Sequence, residues 1–78
     1  MDAIQKTSSL EILEARGRLL RLPEVRRETG LGRSTIYRLM KTRRFPSAVS
    51  LGGAVAWWES EIEDWKRSRP RLVSAEDR

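Results

Sequence analysis

The sequence contains no histidine and no cysteine. Their absence removes the usual zinc ligands, thiol nucleophiles, disulfides and imidazole bases. No apolar run approaches the roughly 18 residues needed to cross a bilayer, and no secretory signal is visible. The expectation is a cytoplasmic protein with no membrane partner. Aromatics are few, with three Trp, one Tyr and one Phe, so each large ring is a candidate for the core. At 78 residues the chain makes one small domain with a marginal core. A catalytic cleft is hard to build from it. Ser34 and the carboxylates near the C-terminus lack a visible base or metal partner, so no catalytic residue, cofactor or metal site is expected, and an enzyme is the least favoured reading.

What the chain does have is positive charge, unevenly placed. Residues 16–44 hold ten Lys or Arg against Glu24 and Glu28, a net +8, whereas residues 45–65 hold only Glu59, Glu61, Glu63 and Asp64, a net −4. A concentrated basic patch suits a polyanion, and without a lipid-facing amphipathic helix that polyanion is nucleic acid.

The patch coincides with a structural motif. Pro23 starts a short helix to Thr29, with Glu24 favourably placed in its first turn. Gly30-Leu31-Gly32 follows as a turn in which glycine takes positive φ and Leu31 points back between two helices. A second helix over about 33–41 places Ile36, Leu39 and Met40 at i, i+3 and i+4 as a core stripe. Opposite lie Ser34, Arg38 and Lys41, with Arg33 and Tyr37 on one flank and Thr35 and Thr42 on the other. Two helices joined by a glycine turn, the second polar and basic on its outer face, form a helix-turn-helix whose second helix reads the major groove. Arg pairs bidentately with guanine, Ser and Thr bond base edges or phosphates, and a helix N-terminus attracts phosphate.

The flanking segments brace this unit. Residues 1–17 form an N-terminal arm in which Ser8 and Glu11 match a capping box, with Leu10 and Leu13 as an apolar stripe and Gly17 as the stop. A short helix over 9–16 and a mostly disordered arm are both open. Leu19 to Leu22 is expected to be extended, with Leu20 and Leu22 inward, because a residue before proline disfavours helix. After the second helix, Phe45 anchors a corner while Arg43 and Arg44 stand where they would clamp phosphates. Two apolar runs around Gly52-Gly53 predict a hairpin with a two-residue turn, a candidate wing. The last helix is expected to open at Trp57-Trp58-Glu59, with Trp58, Ile62 and Trp65 at i, i+4 and i+7 and Lys66, Arg67 and Arg69 at its end. Trp57 and Trp65 are expected in the core, Trp58 less so. Pro70 stops the helix, and 70–78 is a flexible tail. The fold class is therefore mainly α with a small β-hairpin, with the DNA-binding domain over 18–69.

Leu20 to Val25, Thr29 to Met40, Arg44-Phe45-Pro46, Leu51-Gly52 and Trp57 with Glu59-Ser60-Glu61-Ile62 and Trp65 resemble the AlpA family of phage-type transcriptional regulators. These are relatives of excisionases and of MerR-like winged helix-turn-helix domains. The resemblance covers roughly residues 18–69. It implies a prophage or mobile-element regulator that binds double-stranded DNA, with Ser34, Thr35, Tyr37 and Arg38 facing the groove. Arg33, Lys41, Arg43 and Arg44 are the candidates for phosphates. Two positions depart from the family's pattern. Gly32 stands where a Ser helix cap is usual, a swap worth a few tenths of a kcal/mol. Residues 47–56 contain no Lys or Arg, which shifts the expected backbone contact from the wing to Arg43 and Arg44.

Three functions fit these features. The first is a sequence-specific transcriptional regulator, acting as a homodimer or cooperative multimer on DNA. The second is an excisionase or recombination directionality factor that bends attachment-site DNA with an integrase partner. The third is a protein-interaction winged helix with an acidic partner. Fold alone does not separate them.

Overall fold

A computed structural model describes residues 16–72. The elements run β1 (Leu19–Leu20), α1 (Leu22–Thr29), α2 (Arg33–Lys41), β2 (Val49–Ser50), β3 (Val55–Trp58) and α3 (Glu59–Arg67). The expected helix over 9–16 and the tail beyond 72 lie outside the described residues, apart from Arg16 at the end of the former.

The two-residue turn occurs at the expected place. Val49 pairs with Ala56 and Ser50 with Val55, and the Leu51 N–H donates to the Ala54 carbonyl at 2.8 Å. Gly52 takes φ +96°, a positive φ at the first central position that glycine supplies without steric cost. A third strand joins this hairpin. Leu19 and Leu20 pair antiparallel with Trp58 and Trp57, so β3 is the centre of a sheet ordered β1-β3-β2. The isolated hairpin would be marginal; a third strand and the helices on one face complete it.

Strand β3 corrects the expected start of the last helix. Trp57 and Trp58 are extended, and α3 begins at Glu59. Side chains alternate across a strand, so the adjacent rings separate: Trp57 is fully buried and Trp58 half-buried. The first helix also differs, since it begins at Leu22 with Pro23 one position further in, and the extended segment closes at the cap Arg21. Leu22 still packs against the core. The Arg21 N–H is taken up by the Glu24 carboxylate at 3.2 Å. Of the two glycines in the turn, only Gly30 uses its freedom, at φ +76°; Gly32 is an extended cap at φ −83° with no side-chain hydrogen bond. Thr29 supports the turn by donating to the Val25 carbonyl at 2.8 Å and accepting from the Leu31 N–H at 3.2 Å.

The core is small and shared. Leu20 of β1, Val25 of α1, Ile36 of α2, Phe45 of the corner, Trp57 of β3 and Ile62 of α3 are buried together, one from each part of the chain that approaches the centre. Leu31, Leu39, Met40, Tyr37 and Trp65 pack around them, half-buried. Trp65 is therefore at the margin of the core rather than inside it.

Helix α2 ends in a Schellman motif. The Arg43 N–H bonds the Met40 carbonyl at 3.0 Å and the Arg44 N–H reaches the Leu39 carbonyl at 2.8 Å. That motif needs a left-handed residue, usually glycine, and here it is Arg43 at φ +60°. A non-glycine residue in this region is strained by about 1–2 kcal/mol. Arg43→Gly is therefore expected to stabilise the fold by up to about 1 kcal/mol after glycine's greater unfolded-state freedom is counted, raising Tm by several degrees. Arg43→Ala, which keeps the strain, is expected to give no such rise in thermal denaturation.

Ion pairs tie α1 to its neighbours. Lys66 of α3 lies 2.8 Å from Glu28 of α1 and 3.2 Å from Glu63. The Lys66 ammonium holds the Glu28 carboxyl below its ordinary value of 4.5. Glu24 is lowered too, first by the Arg21 backbone N–H and then by the Arg18 guanidinium. A carboxyl whose pKa is depressed on folding contributes stability above its unfolded value and loses it as pH falls through its folded value. Tm is expected to fall as pH drops below about 4.5, and the double variant Glu24→Gln, Glu28→Gln should flatten that fall.

Candidate nucleic-acid interface

Helix α2 owes its orientation to its buried side. Ile36 is fully buried, with Leu39 and Met40 beside it, so the helix lies against the core and its opposite face turns outward. Ser34, Arg38 and Lys41 are exposed on that face, and Arg33 is exposed at its start. Thr35 and Tyr37 are half-buried. The Tyr37 ring meets Trp57 edge-on at 6.4 Å and carries the Arg33 guanidinium 5.2 Å from its centroid. Tyr37 thus has two attachments, one to the core and one to a surface cation. Tyr37 and Thr35 sit on the two flanks of the exposed stripe by their helical spacing.

The corner after α2 is held by two tryptophans. Trp57 Nε1 donates to the Pro46 carbonyl at 3.0 Å, and Trp65 Nε1 donates to the Arg44 carbonyl at 2.7 Å. Between them the buried Phe45 ring meets Trp65 at 4.8 Å and Trp57 at 6.5 Å. Such T-shaped pairs fix geometry beyond their burial. Arg43 and Arg44 are exposed on this corner, directly after the end of α2. The sequence suggested Phe45 as an anchor, but indole-to-carbonyl bonds leave no pattern in a sequence.

Four of the acids are engaged by cations outside the outer face of α2. Glu24 is paired with Arg18 at 2.9 Å, Glu28 and Glu63 with Lys66, and Asp64 with Arg67 at 2.8 Å. Among the described residues, no carboxylate lies within ion-pair distance of Arg33, Arg38, Lys41, Arg43 or Arg44. Arg26 and Arg27 line a shallow depression beside Gly30, Leu31 and Gly32, adding cations at the start of α2. The hairpin tip has no charge, and Leu51 there is half-exposed. Among the described residues no cluster of three or more His, Cys, Asp or Glu is placed to hold a metal.

A glycine-turned pair of helices, the second exposed and backed by a three-stranded sheet and a third helix, defines the winged helix-turn-helix class. Residues 18–70 match the family described as prophage CP4-57 regulatory protein (AlpA), and the chain belongs to that family. It is 53% identical over 53 residues to the uncharacterized protein ORF88 of Enterobacteria phage P4, covering 67% of this chain and 60% of that protein. The chain thus spans less than two thirds of that relative's length. It is 38% identical over 63 residues to the DNA-binding transcriptional activator AlpA of Escherichia coli strain K12, covering 72% of this chain and 90% of that protein. No solved structure matches.

Proposed function

We propose that this chain is a sequence-specific double-stranded DNA-binding transcriptional regulator of prophage or mobile-element type, with α2 in the major groove. One observation carries the reading: the outward face of α2 presents Ser34, Arg38 and Lys41 exposed and without an ion-paired acid among the described residues, and the exposed Arg43 and Arg44 follow the helix in the chain. Membership of the AlpA family, and a relative named as a DNA-binding transcriptional activator, support it.

In this reading Arg38 and Ser34 reach base edges, and Thr35 and Tyr37 contribute hydroxyls from the flanks of the same helix. Arg33, Lys41, Arg43 and Arg44 take phosphates, which position the helix but carry no sequence information. Residues 18–69 form the binding unit, acting in the cytoplasm. A single module of this size buries about 600–1,000 Å² of protein surface on DNA, so high specificity calls for two or more copies along the site.

The test is to select fragments of the source genome with the purified protein at near-physiological salt, against excess random competitor, and to sequence what is retained. Enrichment beside a promoter is the expected result. Enrichment at an attachment site would replace the regulator with an excisionase working beside an integrase. No enrichment by a folded protein would move the function to a protein partner.

A further inference from the structure

The end of α3 brings another cation to the corner that carries Arg43 and Arg44. Past Arg67 the helix closes on itself: Ser68 Oγ donates to the Trp65 carbonyl at 2.9 Å, and Arg69 Nε donates to the same carbonyl at 3.0 Å. Arg69 Nη2 also donates to Ser68 Oγ at 3.1 Å. These bonds lay the guanidinium over the Trp65 ring, 4.1 Å from its centroid, a cation–π arrangement that fixes its plane. The same indole donates to the Arg44 carbonyl. One side chain therefore fixes the guanidinium of Arg69 and the backbone of Arg44.

Arg43, Arg44 and Arg69 line one open groove between the corner and α3. Arg16 lines it too, 5.5 Å above the Trp58 ring. Two carboxylates face the same groove, Glu61 and Asp64. Asp64 is engaged by Arg67 at 2.8 Å, which leaves Glu61 as the opposing charge. The groove is net positive, and Arg69 Nη1 has no partner among the described residues. A guanidinium already oriented by stacking gives up less freedom when it binds an anion than a mobile lysine does. Arg43 and Arg44 come directly after the last turn of α2 in the chain, so a duplex that takes α2 in its groove passes close to this rim. That geometry favours DNA over an acidic protein segment as the occupant.

We propose that Arg69 is a phosphate-binding residue that joins Arg43 and Arg44 in gripping the DNA strand as it passes the end of α2, lengthening the contact into the flanking duplex. The proposal rests on the DNA-binding function above. It assigns a part in DNA binding to the residue just past the end of α3 and gives Trp65 the role of positioning two of the three arginines.

The experiment is anisotropy titration of the full chain with a mixed-sequence 30-bp duplex over a range of salt, since phosphate contacts operate without an operator. Arg69→Ala is expected to make the log–log salt slope shallower by about 0.9 and to weaken binding roughly eightfold at about 0.1 M salt, the share of one phosphate contact. Arg69→Lys should keep the slope near the parent's, since the charge is retained. Arg67→Ala should leave the slope unchanged, because that side chain is occupied by Asp64, while lowering affinity slightly as Asp64 is left unpaired in the groove. Glu61→Gln should tighten binding. Thermal melting of each variant reports whether it is folded. An unchanged slope for folded Arg69→Ala, beside a reduced slope for Arg44→Ala, would overturn the role of Arg69 and leave DNA binding standing; an acidic protein occupant of the groove gives that result. Failure of the parent chain to bind the duplex at low salt would overturn both.

Discussion

Trp57→Ala is expected to leave the chain unfolded at 25 °C. Trp57 has no exposed surface and sits on the central strand of the sheet, inside the buried cluster. Tyr37 and Phe45 meet its ring edge-on, and its backbone pairs with Leu20. Truncating a buried Trp costs about 3–5 kcal/mol. A domain this small stands near the lower end of the usual stability range of about 5–15 kcal/mol, so the loss is comparable with the whole. Trp57→Phe separates the two contributions of the side chain. It keeps most of the apolar ring and leaves the Pro46 carbonyl without its donor, a loss of about 1–3 kcal/mol that the fold should survive with a lowered Tm. Far-ultraviolet circular dichroism with thermal denaturation checks both. A Trp57→Ala variant melting within a few degrees of the parent would show that the core does not depend on this ring. Trp65→Ala should cost less, because Trp65 is half-buried at the margin.

The parts of the fold that sequence reveals are those whose pattern is local. Ile36, Leu39 and Met40 mark the buried side of α2 by their spacing, and the outward set follows from the same helical period. Gly52-Gly53 marks the hairpin because a two-residue turn fixes register. Other features depend on contacts between distant residues. Pro23 marks Leu19 and Leu20 as extended, but a strand of two residues has no periodicity to show its pairing, and its partner lies at the far end of the domain. Trp57-Trp58 before an acidic helical run reads equally as strand or helix start, and the pairing with Leu19 and Leu20 decides for strand. Arg43 takes a left-handed conformation that sequence marks only when the residue is glycine or asparagine. The candidate site is divided in the same way. Its exposed residues follow from helix geometry. The partial burial of Tyr37 depends on Trp57 reaching it from β3, and the mounting of Arg44 depends on Trp65.

Arg38→Ala is expected to weaken binding to the selected genomic site by about 1–3 kcal/mol, or roughly 5- to 150-fold, and to relax preference at one or two base pairs. Affinity for random duplex should fall much less. The distinction follows from position. Arg38 lies in the middle of the exposed face of α2, between Ser34 and Lys41, where a side chain is directed to base edges when the helix enters the groove. Arg33, at the first turn over Tyr37, and Arg43 and Arg44, beyond the last, are at the margins where phosphates run. Loss of a marginal residue should weaken all sequences alike and shallow the salt dependence by about 0.9 per phosphate contact. Equal losses for Arg38→Ala on specific and random DNA would therefore move Arg38 into the phosphate set. Tyr37 needs a finer substitution, because Tyr37→Ala would remove a ring that packs on Trp57 and confuse folding with recognition. Tyr37→Phe keeps the ring and its contact with the Arg33 guanidinium and removes only the hydroxyl. If that variant melts with the parent yet loses discrimination at one base pair, the hydroxyl reads DNA. If it binds as the parent does, Tyr37 serves to seat α2 on the core, and the reading face narrows to Ser34, Thr35 and Arg38.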